Sequence, residues 1–268
     1  MPTTVAAAGS RETRSAYVDR AILAILAHAN AVLARMEAVG VDLDALAHGA
    51  VGDLRVGTFQ SAATKLLPSL LAAFRAAWPR IEVTLFESGS HDEIDGQVER
   101  GAFDLAFTHP PNPSDAPLGY VDLLCDPYFL VVARGHELAD RRALPSLGTL
   151  GEIDLVGYRV CRANAEVERY LRAHGVQPRV VFRAEDNHLL QGLAAAGIGA
   201  AIMPFLAVDR HRDDIVLVDL RDRIPARRIG LVWHRDRYQS PAATAFMELA
   251  GELASRLACE IDSLAGTV

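Results

Sequence analysis

The spacing of apolar residues changes period several times along the chain, and each change marks an element. Leu54, Val56 and Phe59 alternate with small and polar residues and stop at Ser61, which predicts a short strand ending in a tight turn. From Ser61 the spacing becomes helical through Leu66, Leu67, Leu70, Leu71 and Phe74, and Trp78-Pro79 closes the run. Ile81–Phe86 reads as a second strand. Ser90-His91-Asp92-Glu93 then has the capping-box pattern, a serine three residues before a glutamate, and opens a helix that stops at Gly101. Phe103–Phe107 is a third strand. Strand, helix and strand with short joints is the grammar of a parallel sheet, in which ligands lie beyond the carboxyl ends of the strands.

Farther on, His109–Pro117 is a proline-rich surface loop, and strands are predicted at Tyr120–Leu124 and Tyr128–Ala133 around Asp126-Pro127. Arg141–Gly151 is expected to have little structure of its own. A second pattern like the first follows. A strand at Ile153–Tyr158 precedes a helix capped by Asn164, and a strand at Arg179–Arg183 precedes a helix capped by Asp186 or Asn187 and stopped by Gly197. Ile198–Met203 reads as a buried strand and Ile229–His234 as another. Pro241 sits in the first turn of a last helix reaching about Leu257. The fold class is therefore α/β, in two halves.

Ala16–Val39, ahead of this core, is strongly helical. Ile22, Ile25, Leu26, Ala29, Val32, Leu33 and Met36 form a stripe that needs a cover. Two covers are open: the chain's own domain, or a partner helix paired as in a coiled coil.

Half of the 268 residues are hydrophobic and 23% are charged, a globular composition with enough length for a full core. No apolar run approaches the roughly 18 residues of a membrane span. The N-terminus has neither a basic region nor a long apolar core, so no secretory signal is read and a cytoplasmic protein is expected. Cys125, Cys161 and Cys259 are odd in number and far apart, which fits reduced, buried residues. A net charge of −7 argues against a chain-wide nucleic-acid surface. Asp209–Arg237 carries eight arginines and six aspartates and reads as a solvated, salt-bridged face.

Patterns for covalent or metal chemistry are sparse. His136-Glu137 lacks the second histidine of a zinc helix, no Gly-x-Ser-x-Gly elbow occurs, and Gly197-x-Gly199 lies in the reverse of the dinucleotide order. No cofactor and no metal is implied. More informative are the hydroxyl and amide residues where strands hand over to helices: Gln60-Ser61, Ser88-Gly89-Ser90, Asn164 and Asn187. Each can cap its own helix. Grouped around one cleft, they suit an anion, which the free N–H groups and positive ends of helices favour by about 0.3–1 kcal/mol each.

Asp53–Thr58, Leu67-Pro68, Phe74, Trp78-Pro79, Glu87, Gly101–Ala106, Leu193–Gly199 and Ile202-Met-Pro204 together resemble the effector-binding domain of LysR-type transcriptional regulators. The resemblance runs in order over residues 53–257. It implies the two-lobed, periplasmic-binding-protein-like fold, with lobe I from 53–125 and 228–268, lobe II from 126–227, and a small-molecule effector between them. By family position Ser61 and Ser90 match first-lobe contacts, with Gln60 and Thr108 beside them; Arg162 and Asn164 are the second-lobe candidates. Residues 1–52 then resemble the end of the family's wing and its dimerising linker helix, which implies a homodimer or tetramer and no membrane partner. The family's winged helix-turn-helix is not matched, and residues 1–52 hold four arginines against five carboxylates. DNA, a partner in the family, is therefore not an expected partner of this chain as it stands. A transporter's solute-binding protein, or an enzyme on the same architecture, would share the fold.

Overall fold

The computed structural model describes residues 52–111 and 117–264 except 142, 145 and 160, together with scattered helical positions between Val18 and Met36. The first unit opens on β1 (Gly52–Thr58), where Leu54 and Val56 are fully buried, as the alternation requires. Two helices follow instead of the single one expected, α1 (Gln60–Lys65) and α2 (Leu67–Ala77). Pro68 is the cause. It has no N–H to give to the preceding turn, and its ring clashes with the carbonyl four residues back. The Leu66 amide closes α1 on the Ala62 carbonyl at 2.9 Å, and the Leu66 carbonyl starts α2.

Next come β2 (Ile81–Glu87), α3 (His91–Arg100) and β3 (Leu105–Thr108). The capping box forms as read: the Ser90 hydroxyl oxygen accepts from the Glu93 amide at 3.3 Å. Gly101 ends α3 in the left-handed region, at φ 76°, where a Cβ would be strained. The chain continues through β4 (Leu118–Asp126) directly into β5 (Tyr128–Ala133). A 3₁₀ turn at Leu147–Gly151 gives 141–151 more structure than expected, because Leu150 is fully buried there. The second unit then runs β6 (Asp154–Tyr158), α4 (Arg162–Ala173), β7 (Arg179–Ala184), α5 (Asn187–Ala195) and β8 (Ala200–Pro204). Another 3₁₀ turn (Phe205–Ala207) leads to β9 (Ile215–Asp219), a strand hidden inside the Arg/Asp-rich stretch. The chain closes with β10 (Arg227–His234) and α6 (Pro241–Leu264).

Two five-stranded sheets result, ordered β2-β1-β3-β10-β4 and β7-β6-β8-β5-β9. They share one plan. The first three strands of each are parallel, and the fourth runs antiparallel to the third. In the first sheet that fourth strand is β10, which arrives only after the whole second unit has been built. In the second it is β5, which arrives straight from the first. The chain thus crosses between lobes twice, between β4 and β5 and between β9 and β10. Gly230 marks a register shift beside the second crossing, where a Cβ would lie 2.1 Å from the Val121 carbonyl oxygen.

The larger core packs α2 and α6 on the first sheet, with Phe74, Phe107 and Phe246 wholly buried. Phe129, Phe205 and Leu206, from the second unit, join that same core. The cysteines are not core residues as expected: Cys125 and Cys259 are exposed and Cys161 is half-buried, all three free. A strand's alternation puts Cys125 opposite its inward neighbours, Leu124 and Asp126. In the N-terminal stripe, Ile22, Ile25, Leu26, Val32, Leu33 and Met36 are all exposed.

At the crossing, Asp126 and Arg227 face each other in the β4–β10 register and form a wholly buried ion pair. Nε and Nη2 of Arg227 donate to Asp126 Oδ2 at 2.9 and 2.7 Å, and the Leu206 amide donates to Oδ1 at 3.1 Å. Removing one partner strands a charge, so Asp126→Ala is expected to lower the unfolding free energy in urea by about 3–5 kcal/mol. The double replacement Asp126→Leu/Arg227→Met is expected to cost less than either single change, measured as a double-mutant cycle.

Candidate functional site

Between the lobes lies a cavity of about 290 Å³. Its walls come from the ends of strands and the first residues of the helices that follow them. Phe59, Gln60 and Ser61 follow β1; Ser88, Gly89, Ser90 and His91 follow β2; Cys161 and Asn164 open α4; Glu185 and Asn187 open α5. Tyr128, Tyr158, Ile202, Pro204 and Arg227 complete it. The volume is near the lower end of the roughly 300–1,000 Å³ of small-molecule sites.

Of the six residues proposed from the sequence, Gln60, Ser61, Ser90 and Asn164 line this cavity. Ser61 is buried, and its oxygen accepts from Arg227 Nη2 at 2.7 Å. Ser90 caps α3 with its lone pair, which leaves its hydroxyl hydrogen available to the cavity. Asn164 is not a cap, contrary to expectation. The helix starts earlier, after Cys161, and the Asn164 amide donates to Glu168 at 2.9 Å, one turn on. Gln60 spans the lobes: its Nε2 donates to Asp186 Oδ2 at 2.6 Å, and its Oε1 accepts from the Asn187 amide at 3.1 Å.

Thr108 and Arg162 are not in the wall. Thr108 is fully buried beneath it and donates to Asp95 Oδ1 at 2.9 Å. Arg162 makes a second bridge between the lobes. Its Nη2 reaches Asp92 and, at 3.0 Å, Asp95, and its Nη1 reaches the Pro110 carbonyl at 3.3 Å. Burial raises the Asp95 carboxyl, and Arg162 and Thr108 pull it partly back. The extra charges explain the displacement. An arginine at the start of a helix gains more from two aspartates across the gap than from an open cavity.

Arg227, His91, Tyr128 and Tyr158 were not singled out from the sequence. Arg227 sat among seven other arginines of a stretch read as solvated, and only the β4–β10 register sets it apart. Burial opposes its charge, but Asp126 holds its proton above the ordinary value. Burial also raises both tyrosines, so each hydroxyl stays a donor; that of Tyr158 donates to Asn187 Oδ1 at 2.6 Å. Asp186 is held below the usual carboxylate range by the Gln60 amide and then by the Leu189 amide. That contribution is present at neutral pH and is lost as the pH falls through the depressed value.

Two similar lobes, each a mixed sheet with flanking helices, around a pocket of hydroxyls and amides define a two-lobed effector-binding domain of the type 2 periplasmic-binding-protein-like class. The model of the LysR substrate binding domain matches residues 47–255, and the chain belongs to that family. It is 26% identical over 215 residues to the DNA-binding transcriptional dual regulator OxyR of Escherichia coli strain K12, covering 80% of this chain and 69% of that protein. It is 25% identical over 209 residues to the uncharacterized HTH-type transcriptional regulator YybE of Bacillus subtilis strain 168, covering 77% and 70%. Among solved structures, the effector binding domain of QuiR in complex with shikimate superposes with a TM-score of 0.69 at 19% identity, over 77% of this chain and 99% of that one.

The Gln60 clasp has a direct signature. In Gln60→Ala, hydrogen exchange at the Asn187 amide is expected to speed up about five- to tenfold, the loss of one bond of ~1 kcal/mol. The Leu189 amide, held by Asp186 Oδ1 at 2.8 Å, keeps its protection.

Proposed function

We propose that this chain is the effector-sensing part of a LysR-type regulator and that a small carboxylate or similar anion binds between its lobes, against Ser61 and Ser90. The observation that carries this reading is the convergence of the first turns of α3, α4 and α5, through Ser90, Cys161, Asn164 and Asn187, on one cavity beside a buried arginine. The positive ends of the helix dipoles there favour a negative ligand. QuiR, which shares the fold, is described with shikimate, a small carboxylate.

The reading is of a binder and not of an enzyme. The charged groups of the wall are already engaged: Arg227 with Asp126 and Ser61, Glu93 with the Ser88 hydroxyl at 2.7 Å, and Glu185 with Arg159 at 3.6 Å. A ligand that bridges the lobes would favour the closed arrangement, and it acts on the regulator only through unequal affinity for the arrangements. The exposed apolar stripe at Ile22, Ile25, Leu26, Val32, Leu33 and Met36 supports pairing with a second copy, through which such a change would be transmitted.

Calorimetric titration with a panel of small carboxylates tests the site. In the Ser61→Ala/Ser90→Ala double variant, with its melting temperature measured alongside, affinity for whichever acids bind the wild type is expected to fall by about tenfold or more. Unchanged affinity overturns the assignment.

A further inference from the structure

His91 is the first residue of α3 and lines the cavity, yet it is only 4% exposed, and neither Nδ1 nor Nε2 finds a hydrogen-bond partner among the described residues. Its ring is wedged edge-on between Phe59, at 4.9 Å between centroids, and His109, at 4.1 Å. His109 is buried as well. Its Nδ1 lies 2.8 Å from the Arg228 carbonyl oxygen, an acceptor, so Nδ1 carries the proton and Nε2 is a bare lone pair, again without a partner. Two unsatisfied polar ring atoms thus belong to His91 in the cavity wall, and a third, Nε2 of His109, lies against that ring, none of them with a partner among the described residues. Each such omission costs about 1–3 kcal/mol.

From this juxtaposition we propose that His91, backed by His109, reads a hydroxyl group, and that the ligand is a small hydroxylated carboxylate. The proposal rests on the effector-binding reading above and narrows its ligand class.

Both rings are neutral. Burial first, then His109, Arg227 and Arg162, drive His91 down to about 2; burial and Arg227 drive His109 down to about 3. His91 offers the cavity one N–H and one lone pair, and the His109 ring backs it. A carboxylate only accepts, so it satisfies the N–H and leaves the lone pair without a donor. An ammonium only donates, and it would stand close to Arg227. A hydroxyl does both. The carboxylate of the same molecule is then left to the hydroxyls of Ser61 and Ser90, with the positive charge of Arg227 nearby. The Tyr128 hydroxyl, which makes no hydrogen bond within the described chain, is a further donor on the wall.

A site built to hydrogen-bond a hydroxyl rejects the analogue without it, because its own buried groups are left unpaired. The test is calorimetry on the whole chain with matched acids: shikimate, glycerate and 3-hydroxybenzoate, each against its counterpart lacking the hydroxyl groups. The hydroxylated member of any pair that binds is expected to bind about tenfold tighter or more. His91→Phe is expected to abolish that preference, and His91→Asn, which retains a donor and an acceptor, to keep part of it. Spectra of ¹⁵N-histidine-labelled wild type, which need no variant to fold, are expected to show neutral His91 and His109 at pH 5. They are also expected to show His91 shifts with the hydroxylated acid only. Pairs that bind equally, a preference that survives in His91→Phe, or charged rings at pH 5 overturn the hydroxyl assignment and leave carboxylate binding intact. Failure of every acid to bind at millimolar concentration overturns both readings.

Discussion

One buried ion pair stands where the two halves of this molecule are joined. The chain must pass between lobes twice, and at the second passage Arg227 enters the first sheet directly opposite Asp126, the last residue before the chain left it. A charge so deeply buried is tolerable only with a fixed partner of opposite sign and further hydrogen bonds. Asp126 therefore fixes the start of β10, and through the Leu206 amide it also ties down the turn that ends β8. Arg227 in turn holds Ser61, so one hydroxyl of the cavity wall is set by the same contact that joins the lobes.

Away from that junction the lobes meet through polar bridges. Gln60 clasps the opening of α5, and Arg162, at the opening of α4, reaches two aspartates of α3. Bridges of this kind are individually modest, since each exchanges one hydrogen-bonded partner for another. The apolar contacts that would resist opening, Phe129, Phe205 and Leu206, lie close to the crossing strands and belong to the first core. On the effector-sensing reading, a ligand adds its contacts to those of Gln60 and Arg162, while Asp126–Arg227 keeps the junction in place.

Much of the fold was legible because local rules governed it. The capping box at Ser90 and the stop at Gly101 depend on residues within a few positions of one another, and both formed as read. Of the two caps open for α5, Asp186 or Asn187, it is Asp186 that forms. Where reading along the chain failed, a longer-range cause is visible. Pro68 divided a run whose leucines were spaced for one helix. The antiparallel fourth strand of each sheet has no local signature, since β10 joins a sheet left a hundred residues earlier. β9 was masked by the charged residues on either side of it. Asn164 looked like a cap, but the helix had already begun at Arg162.

The cavity divides in the same way. Alternation, helical spacing and capping residues sufficed to define two α/β halves and to mark Gln60, Ser61, Ser90 and Asn164, because strand ends and helix openings are written in neighbouring residues. Which charges would be stripped of water was not written there. Arg227 and Arg162 look alike in sequence, yet one is sealed against Asp126 in the cavity wall and the other bridges the lobes outside it. Nor could spacing show that His91 and His109 meet ring to ring. Burial, and therefore the cost and use of every polar group in this protein, came from the way the two crossings fold the halves together, and that is a property of the tertiary structure alone.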